Sequence, residues 1–334
     1  MKKKMKSAVM WILCLLLVIY LLCTPFRGWK IQTEEISYRL VQAYIDTGIV
    51  RPITKPSVGC ADHGQNVFLL IMVPSSVSNF QQRDAIRHTW GNVSKVTPTV
   101  QVNFVLGKSK NSALQDLANT EKLIYNDIIF EDVLETYENL TRKSIAILRW
   151  TVSFCNRARY LLKIDDDMFL NLPRLLSYLS DFSQVNTVLG CKVSHSAPYR
   201  NPFSKWHVSR DQYEDREYPD YISGTAYLIS GDIIYDLYQA TKKVPYFIFE
   251  DVFVTGLCRK QIGAVAKKHH EFSCGSREIG PCGKNFRYRI TGHHYSPPEV
   301  KRMWVELQNR WSDCRLVDYY FIYNLIDIFK WIFL

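Results

Sequence analysis

Three consecutive carboxylates, Asp165, Asp166 and Asp167, end the apolar run Tyr160 to Ile164 in the stretch YLLKIDDDMFLN. Packing gives no reason for them, because successive strand side chains point to opposite faces and burying even one unpartnered carboxylate is costly. Three adjacent negative charges therefore require a positive partner. A hard divalent cation is one: Mg²⁺ or Mn²⁺ takes one or two carboxylates and leaves positions for substrate phosphate and water. An Asp-x-Asp at a strand end brings two carboxylates within reach of one ion, which suits a nucleotide diphosphate. Lys163, two residues before Asp165, shares its strand face and can offset part of the charge. A solvated acidic turn, or a cap for a helix beginning near Leu172, is the alternative that spacing leaves open.

A second acidic pair, Glu250 and Asp251, follows the apolar VPYFIF and opens a helical stretch running to about Ile262. A carboxylate at a helix N-terminus is stabilised in its ionised form, the state a general base needs; ordinary N-capping is the alternative. YPDYISGTAY carries Tyr218, Tyr221, Tyr227 and Gly224, aromatic faces and a side-chain-free position that suit a stacked sugar, although core packing explains some of the tyrosines as well. Arg83 and Arg87 carry guanidinium forks that suit phosphates, or else simply charge the face of an amphipathic helix. Two histidine pairs, His269-His270 in VAKKHHEF and His293-His294 in ITGHHY, are further candidates. Neighbours on a strand point opposite ways, so neither pair is expected to bind one ion with both rings.

The elements around these residues alternate in type. NVFLLIMV (66–73), VQVNFVLG (100–107) and YLLKI (160–164) read as strands. FQQRDAIRHTW (80–90), Asn111 to Lys122, YENLTRKSIAILRWTVSFC (137–155) and LPRLLSYLSDF (172–182), the last with proline at its start, read as helices. Such alternation builds an α/β protein with a mostly parallel sheet and helices on both faces. Ligands of such sheets bind beyond the carboxyl ends of the strands, where the three aspartates stand.

The 334 residues are 47% apolar and 22% charged, with a net charge of +10. Lys2, Lys3, Lys4 and Lys6 precede the uncharged run 8–26, which is long enough to cross a bilayer as a helix. No small-residue cleavage site follows it, so a single-pass signal anchor is expected, with a cytosolic tail (1–7), a stem (27–64), a catalytic domain (65–312) and an apolar C-terminal tail (313–334). The N-terminal lysines are better explained by lipid headgroups than by nucleic acid. Asn92-Val93-Ser94 and Asn139-Leu140-Thr141 are glycosylation acceptors for a secretory lumen. Seven cysteines beyond the anchor, at 60, 155, 191, 258, 274, 282 and 314, fit disulfides in an oxidising compartment. The odd number leaves at least one thiol free or paired with a second chain, a route to a dimer.

Six stretches stand in a fixed order: RDAIRHTWG (83–91), FVLG (104–107), ETYENLTRKS (135–144), LLKIDDDMFLN (161–171), YPDYISGTAYLIS (218–230) and FEDVFVTGLC (249–258). Together they resemble the β1,3-glycosyltransferase family, which includes β1,3-galactosyltransferases and β1,3-N-acetylglucosaminyltransferases, from about residue 66 to about 311. The resemblance implies a GT-A fold, an inverting transfer from a UDP-sugar to a glycan acceptor with Mn²⁺, and a type II Golgi membrane protein with its catalytic domain in the lumen. It implies Asp167 as direct metal ligand, Asp165 nearer the ribose, and His293 completing the metal shell. Arg83, Arg87, Lys163 and Asp166 fall on the nucleotide side. Asp251 becomes the base with Glu250 supporting it, and Trp90, Tyr218, Tyr221, Gly224 and Tyr227 fall on the sugar side. Galactose is the expected donor sugar, with N-acetylglucosamine and N-acetylgalactosamine as alternatives. A lumenal sugar-binding module, which would need no second acidic pair at a helix start, and a metal-dependent hydrolase, which would release free sugar or phosphate with no acceptor present, are the readings from other classes.

Overall fold

The first expected strand is β1 (Leu69–Ser75), buried along its whole length. In the computed structural model, which describes residues 59–92, 97–277 and 282–309, Leu69, Ile71 and Val73 pack into one hydrophobic cluster, and Leu70 and Met72 into another. Alternate side chains that both meet apolar surroundings mean covered faces on each side, which is why this strand reads as a continuous apolar run. The expected cytosolic tail, anchor, most of the stem and the C-terminal tail lie outside the described residues. Among the described residues, no helix is long and apolar enough to cross a membrane.

In chain order the elements are α1 (Phe80–Arg87), β2 (Val100–Lys108), α2 (Ser112–Tyr125), β3 (Ile128–Leu134), α3 (Leu140–Phe154), β4 (Tyr160–Ile164), β5 (Phe169–Leu170), α4 (Leu172–Asp181), β6 (Thr187–Val193), β7 (Tyr221–Ser230) and α5 (Ile234–Thr241). A π-helix (Val252–Cys258) then runs into the short α6 (Arg259–Gln261), followed by β8 (Val265–Lys268), β9 (Thr291–Gly292) and α7 (Pro297–Gln308). Local chemistry sets several boundaries. Asn111 and Asn171 accept the Leu114 and Arg174 amides at 3.2 and 3.3 Å and so start α2 and α4. Ser296 and Glu299 form a capping box at α7.

The main sheet has the order β3-β2-β1-β4-β7-β6-β8. Only β7 runs against its neighbours β4 and β6, and the other pairings are parallel. Helices α1, α2, α4 and α7 cover one face; α3, α5 and the π-helix cover the other. The expected α/β architecture with a mostly parallel sheet is therefore present.

Register decides where the chemistry falls. Met72 of β1 pairs with Lys163 of β4, so Ser75 reaches the level of the aspartates. On the other side Lys163 pairs with Tyr227 and Ile164 with Ala226. Asp165 N–H then donates to the Thr225 carbonyl at 3.0 Å. The carboxyl ends of β1 and β4 and the beginning of β7 thus meet at one edge.

Disulfides join Cys60 to Cys155 and Cys191 to Cys274, and Cys282 is disulfide-bonded as well. Among the described residues the free cysteine is Cys258, which is fully buried and whose thiol burial pushes up. A core thiol cannot reach a second chain, so the dimer expected through an unpaired cysteine finds no support in it. At the two sequons, Asn92 is exposed, whereas Asn139 is half-buried and its amide donates to the Leu134 carbonyl at 2.9 Å.

The Cys191–Cys274 bridge closes 83 residues of chain. Replacing both cysteines with serine is expected to lower the unfolding free energy by about 2–5 kcal/mol, read as a fall of several degrees in the thermal midpoint of the oxidised protein.

Candidate active site

Lys163 lies at the centre of the edge where β1, β4 and β7 meet. Its ammonium is buried and donates to Asp165 Oδ1 at 2.5 Å and to the Gly224 carbonyl, with Glu250 Oε2 at 3.9 Å. An isolated ammonium would be driven to neutrality by such burial, but the charges of Asp165 and Glu250 more than offset it and hold the pKa above its usual value. One side chain thereby joins the triple-aspartate strand end to the second acidic pair. The expected shared face of Lys163 and Asp165 is present.

The three aspartates meet different partners. Burial pushes Asp165 and Asp166 up, opposed at Asp165 by Lys163 and at Asp166 by hydrogen bonds. Asp166 Oδ2 accepts Ser75 Oγ at 2.6 Å and Asn79 Nδ2 at 2.9 Å. Burial would raise Asp167 too, but His293 and His294 bring it below the ordinary carboxylate range. Their ring nitrogens lie 3.3 and 3.5 Å from Asp167 Oδ2.

Asp167, His293 and His294 offer three ligand atoms within 4.8 Å of one another. His293 Nδ1 lies 2.7 Å from the Gly275 carbonyl, so it carries the proton and leaves Nε2 facing Asp167. This outer hydrogen bond is the usual support of a metal-binding histidine. Both rings of the pair face Asp167, contrary to the expectation from strand alternation. β9 stops at Gly292, and His294 adopts a left-handed φ of 64°, which turns its ring to within 3.6 Å of the His293 ring centre. The rival pair is elsewhere, with His269 packed edge-on against Tyr178 at 4.4 Å. Carboxylate with imidazole is a mixed oxygen and nitrogen donor set open to a divalent transition ion, with the carboxylate oxygen the donor that suits Mn²⁺. The five carboxyls of Asp165, Asp166, Asp167, Glu250 and Asp251 outnumber the single ammonium of Lys163, which pairs with Asp165 and Glu250, so the site can accommodate additional positive charge.

Asp251 begins the helical stretch, as expected. Its Oδ1 accepts the Val252 amide at 2.8 Å and its Oδ2 the Gly224 amide at 3.2 Å. The helix start favours ionisation, but burial outweighs these amides and Lys163, so the net shift is upward. Glu250 is likewise raised by burial against Lys163 and accepts the Tyr227 hydroxyl. A π-helix is an uncommon element often found at functional sites. Gly224 is explained by the acids themselves, since a Cβ there would lie 3.2 Å from both Asp251 Cβ and Glu250 Oε2.

Several expected site residues serve elsewhere. Arg83 is fully buried. It grips Glu121 with Nε and Nη2 at 2.8 and 2.6 Å and donates its remaining hydrogens to Ser75 Oγ and the Ser76 and Val77 carbonyls. Arg87 is engaged by Asp127 at 2.7 and 2.8 Å and by Glu121 at 2.7 Å. These forks bind carboxylates of the fold, so neither is free for a phosphate. Trp90 is completely buried, with its indole N–H on the Met168 carbonyl at 3.3 Å, and Tyr227 is enclosed in the core. Tyr218 packs among Tyr213, Tyr221 and Phe247. Of the expected sugar-side aromatics, Tyr221 is the one that stays half-exposed, within reach of the Asp251 charge.

Ser75 and Asn79, which fix Asp166, escaped sequence reasoning, as did Lys143. The buried Lys143 ammonium donates to the Ser75 carbonyl at 3.0 Å and Glu135 Oε1 at 2.5 Å. Glu135 and Lys143 both lie in ETYENLTRKS, so the motif was visible while the pairing was not.

The galactosyltransferase family model matches residues 81–270. A human protein named beta-1,3-galactosyltransferase 9 is 36% identical over 258 residues, covering 76% of this chain and 69% of its own. Mouse beta-1,3-galactosyltransferase 1 is 32% identical over 246 residues, covering 73% and 74%. Rat lactosylceramide 1,3-N-acetyl-beta-D-glucosaminyltransferase is 33% identical over 254 residues, covering 72% and 66%.

If Arg83 braces the loop after β1, Arg83→Met strands part of Glu121 and three oxygens, and the unfolding free energy should fall by about 3–5 kcal/mol in a denaturant titration. A weaker affinity for uridine diphosphate with an unchanged titration midpoint would instead make it a phosphate ligand.

Proposed function

The chain belongs to the galactosyltransferase family and is a glycosyltransferase, and from that premise we propose an inverting β1,3-hexosyltransferase that moves galactose from UDP-galactose to a glycan hydroxyl on a GT-A fold. The observation that carries this reading is the joining of two acidic clusters by Lys163 at the carboxyl edge of a mostly parallel sheet. A nucleotide diphosphate and a proton-abstracting base must lie on opposite sides of one sugar, and this edge has a candidate for each. Transfer of N-acetylglucosamine is the second reading, favoured by the rat relative's name at nearly the same identity.

Asp251 accepts the proton of the acceptor hydroxyl. The Val252 and Gly224 amides each occupy one of its oxygens and so fix the carboxylate plane, leaving lone pairs for the hydroxyl. As the proton moves to Asp251, the acceptor oxygen bonds to the anomeric carbon and the bond to the diphosphate breaks, which inverts that centre. Glu250, tied to Tyr227 and Lys163, keeps Asp251 and Gly224 in place. Asp167 and His293 would hold Mn²⁺, with His294 adjacent. When bound, the ion supplies a Lewis acid for the charge developing on the leaving diphosphate. Disulfides and the exposed Asn92 support a lumenal, secretory setting. We therefore place the enzyme in the Golgi, anchored by the helix expected at 8–26.

Asp251→Asn should cut turnover by about 10²–10⁴-fold while uridine diphosphate still binds; near-normal turnover would refute the base assignment. Because burial raises Asp251, the acid limb of the kcat profile should fall above the ordinary aspartate range, with activity lost as pH drops through it. Chelation with EDTA should abolish transfer and added Mn²⁺ should restore it, whereas transfer that survives chelation would remove the metal from the reaction.

A further inference from the structure

Beside Asp251 lies a surface that the reaction described above leaves unused. The connection from β6 to β7 is far longer than a tight turn, a length that in compact domains often marks a binding loop. Its middle is firmly built. Tyr199 and His207 form a bridge, the Val208 amide donates to the Tyr199 carbonyl at 2.9 Å, and Arg200 donates to the carbonyls of Val208, Ser209, Tyr213 and Asp215 at 2.7 to 3.1 Å. This rigid segment nevertheless presents Tyr199, Phe203 and Trp206 at 56%, 91% and 49% exposure.

The exposed rings are arranged. Tyr199 and Trp206 lie 5.7 Å apart at 39°. Tyr137, on the separate turn before α3 and 45% exposed, lies close enough to Trp206 for the indole to act on its phenol. The Lys205 ammonium sits 4.3 Å from the Tyr137 ring centre. The Tyr137 phenol, raised first by its own burial, also feels the charges of Asp251, Asp165 and Glu250. The turn that carries Tyr137 and the start of α3 are tied to the segment leading into Glu250 and Asp251, with the Thr141 hydroxyl donating to the Ile248 carbonyl at 2.8 Å and the Tyr246 hydroxyl to the Glu138 carbonyl at 3.4 Å. The aromatic strip thus runs from open solvent toward the acidic site.

Clustered exposed aromatics mark a binding surface, and the chemistry here selects the ligand. A pyranose has an apolar face of C–H groups that lies flat on an aromatic ring and a rim of hydroxyls that tyrosine, indole N–H and ammonium groups can meet. A base that takes its proton from a sugar hydroxyl needs that sugar held beside it. We propose that Tyr137, Tyr199 and Trp206 form the acceptor platform, with the glycan's sugar rings laid along them and its reacting end at Asp251. This rests on the transferase reading and adds to it the residues that receive the acceptor.

The test uses the full chain, with methyl β-N-acetylglucosaminide and methyl β-galactoside as acceptor probes. Trp206→Ala and Tyr199→Ala should each raise the KM of the accepting glycoside about tenfold or more and reduce NMR saturation transfer to it. Trp206→Phe should recover most of the loss, since it keeps the ring. Leu123→Ala, which removes a still more exposed apolar side chain on α2, should leave the acceptor KM unchanged. An unaltered acceptor KM in both alanine variants overturns the platform and leaves the transferase standing, as does a platform that binds only a second copy of this chain. If no uridine sugar is consumed but saturation transfer to the glycosides still depends on Trp206, the platform survives as a sugar-binding surface and the transferase reading fails. Absence of glycoside binding by the wild-type chain overturns the platform outright.

Discussion

A buried ammonium surrounded by acids is the constraint on which the rest of this site depends. Lys163 stands at the end of β4, where alternation would otherwise put an apolar residue, and touches Asp165, the Gly224 carbonyl and Glu250. Removing charge from water is costly, and the cost is recovered only when each polar atom finds a partner. Asp165 and Glu250 are those partners. Their need for Lys163 keeps β4, β7 and the start of the π-helix in one arrangement, so the two acidic clusters cannot drift apart without exposing unpaired charge.

A second buried network supports the first from behind. Arg83 and Arg87 converge on Glu121 and Asp127, where burial would raise Glu121 but the guanidiniums hold it below the usual range. Arg83 also reaches Ser75 Oγ at 3.0 Å, and Ser75 in turn holds Asp166. Lys143 reaches the Ser75 carbonyl from the opposite face of the sheet. The end of β1 is therefore fixed by cations on two sides, and that rigidity passes to the aspartates. Catalytic constellations need such support, because small misplacements of reacting groups are costly in rate.

Much of the fold was legible because its signals are local. The apolar run of β1, the proline at the start of α4, and the abrupt acids after Ile164 each follow from a few neighbouring residues. The acidic clusters were legible for the same reason, since carboxylates after apolar runs conflict with packing. The arginines were not. A fork suited to phosphate is equally suited to carboxylate, and the carboxylates that occupy them lie 38 and 40 residues further along the chain. The aromatics were ambiguous in the same way: Trp90 and Tyr227 are core, while Tyr137 and Trp206 are exposed.

The sequence by itself determined the chemistry on offer: acids at a strand end, acids at a helix start, a histidine pair, and the α/β alternation that brings strand ends together. Those properties are set by residue type and short-range periodicity. Only the tertiary structure decided which charges meet. A single left-handed residue at His294 turns two rings to the same aspartate, and a parallel register sets Ser75 against Asp166. Pairing across tens of residues depends on register and on competition between partners of equal chemistry, which no local pattern encodes.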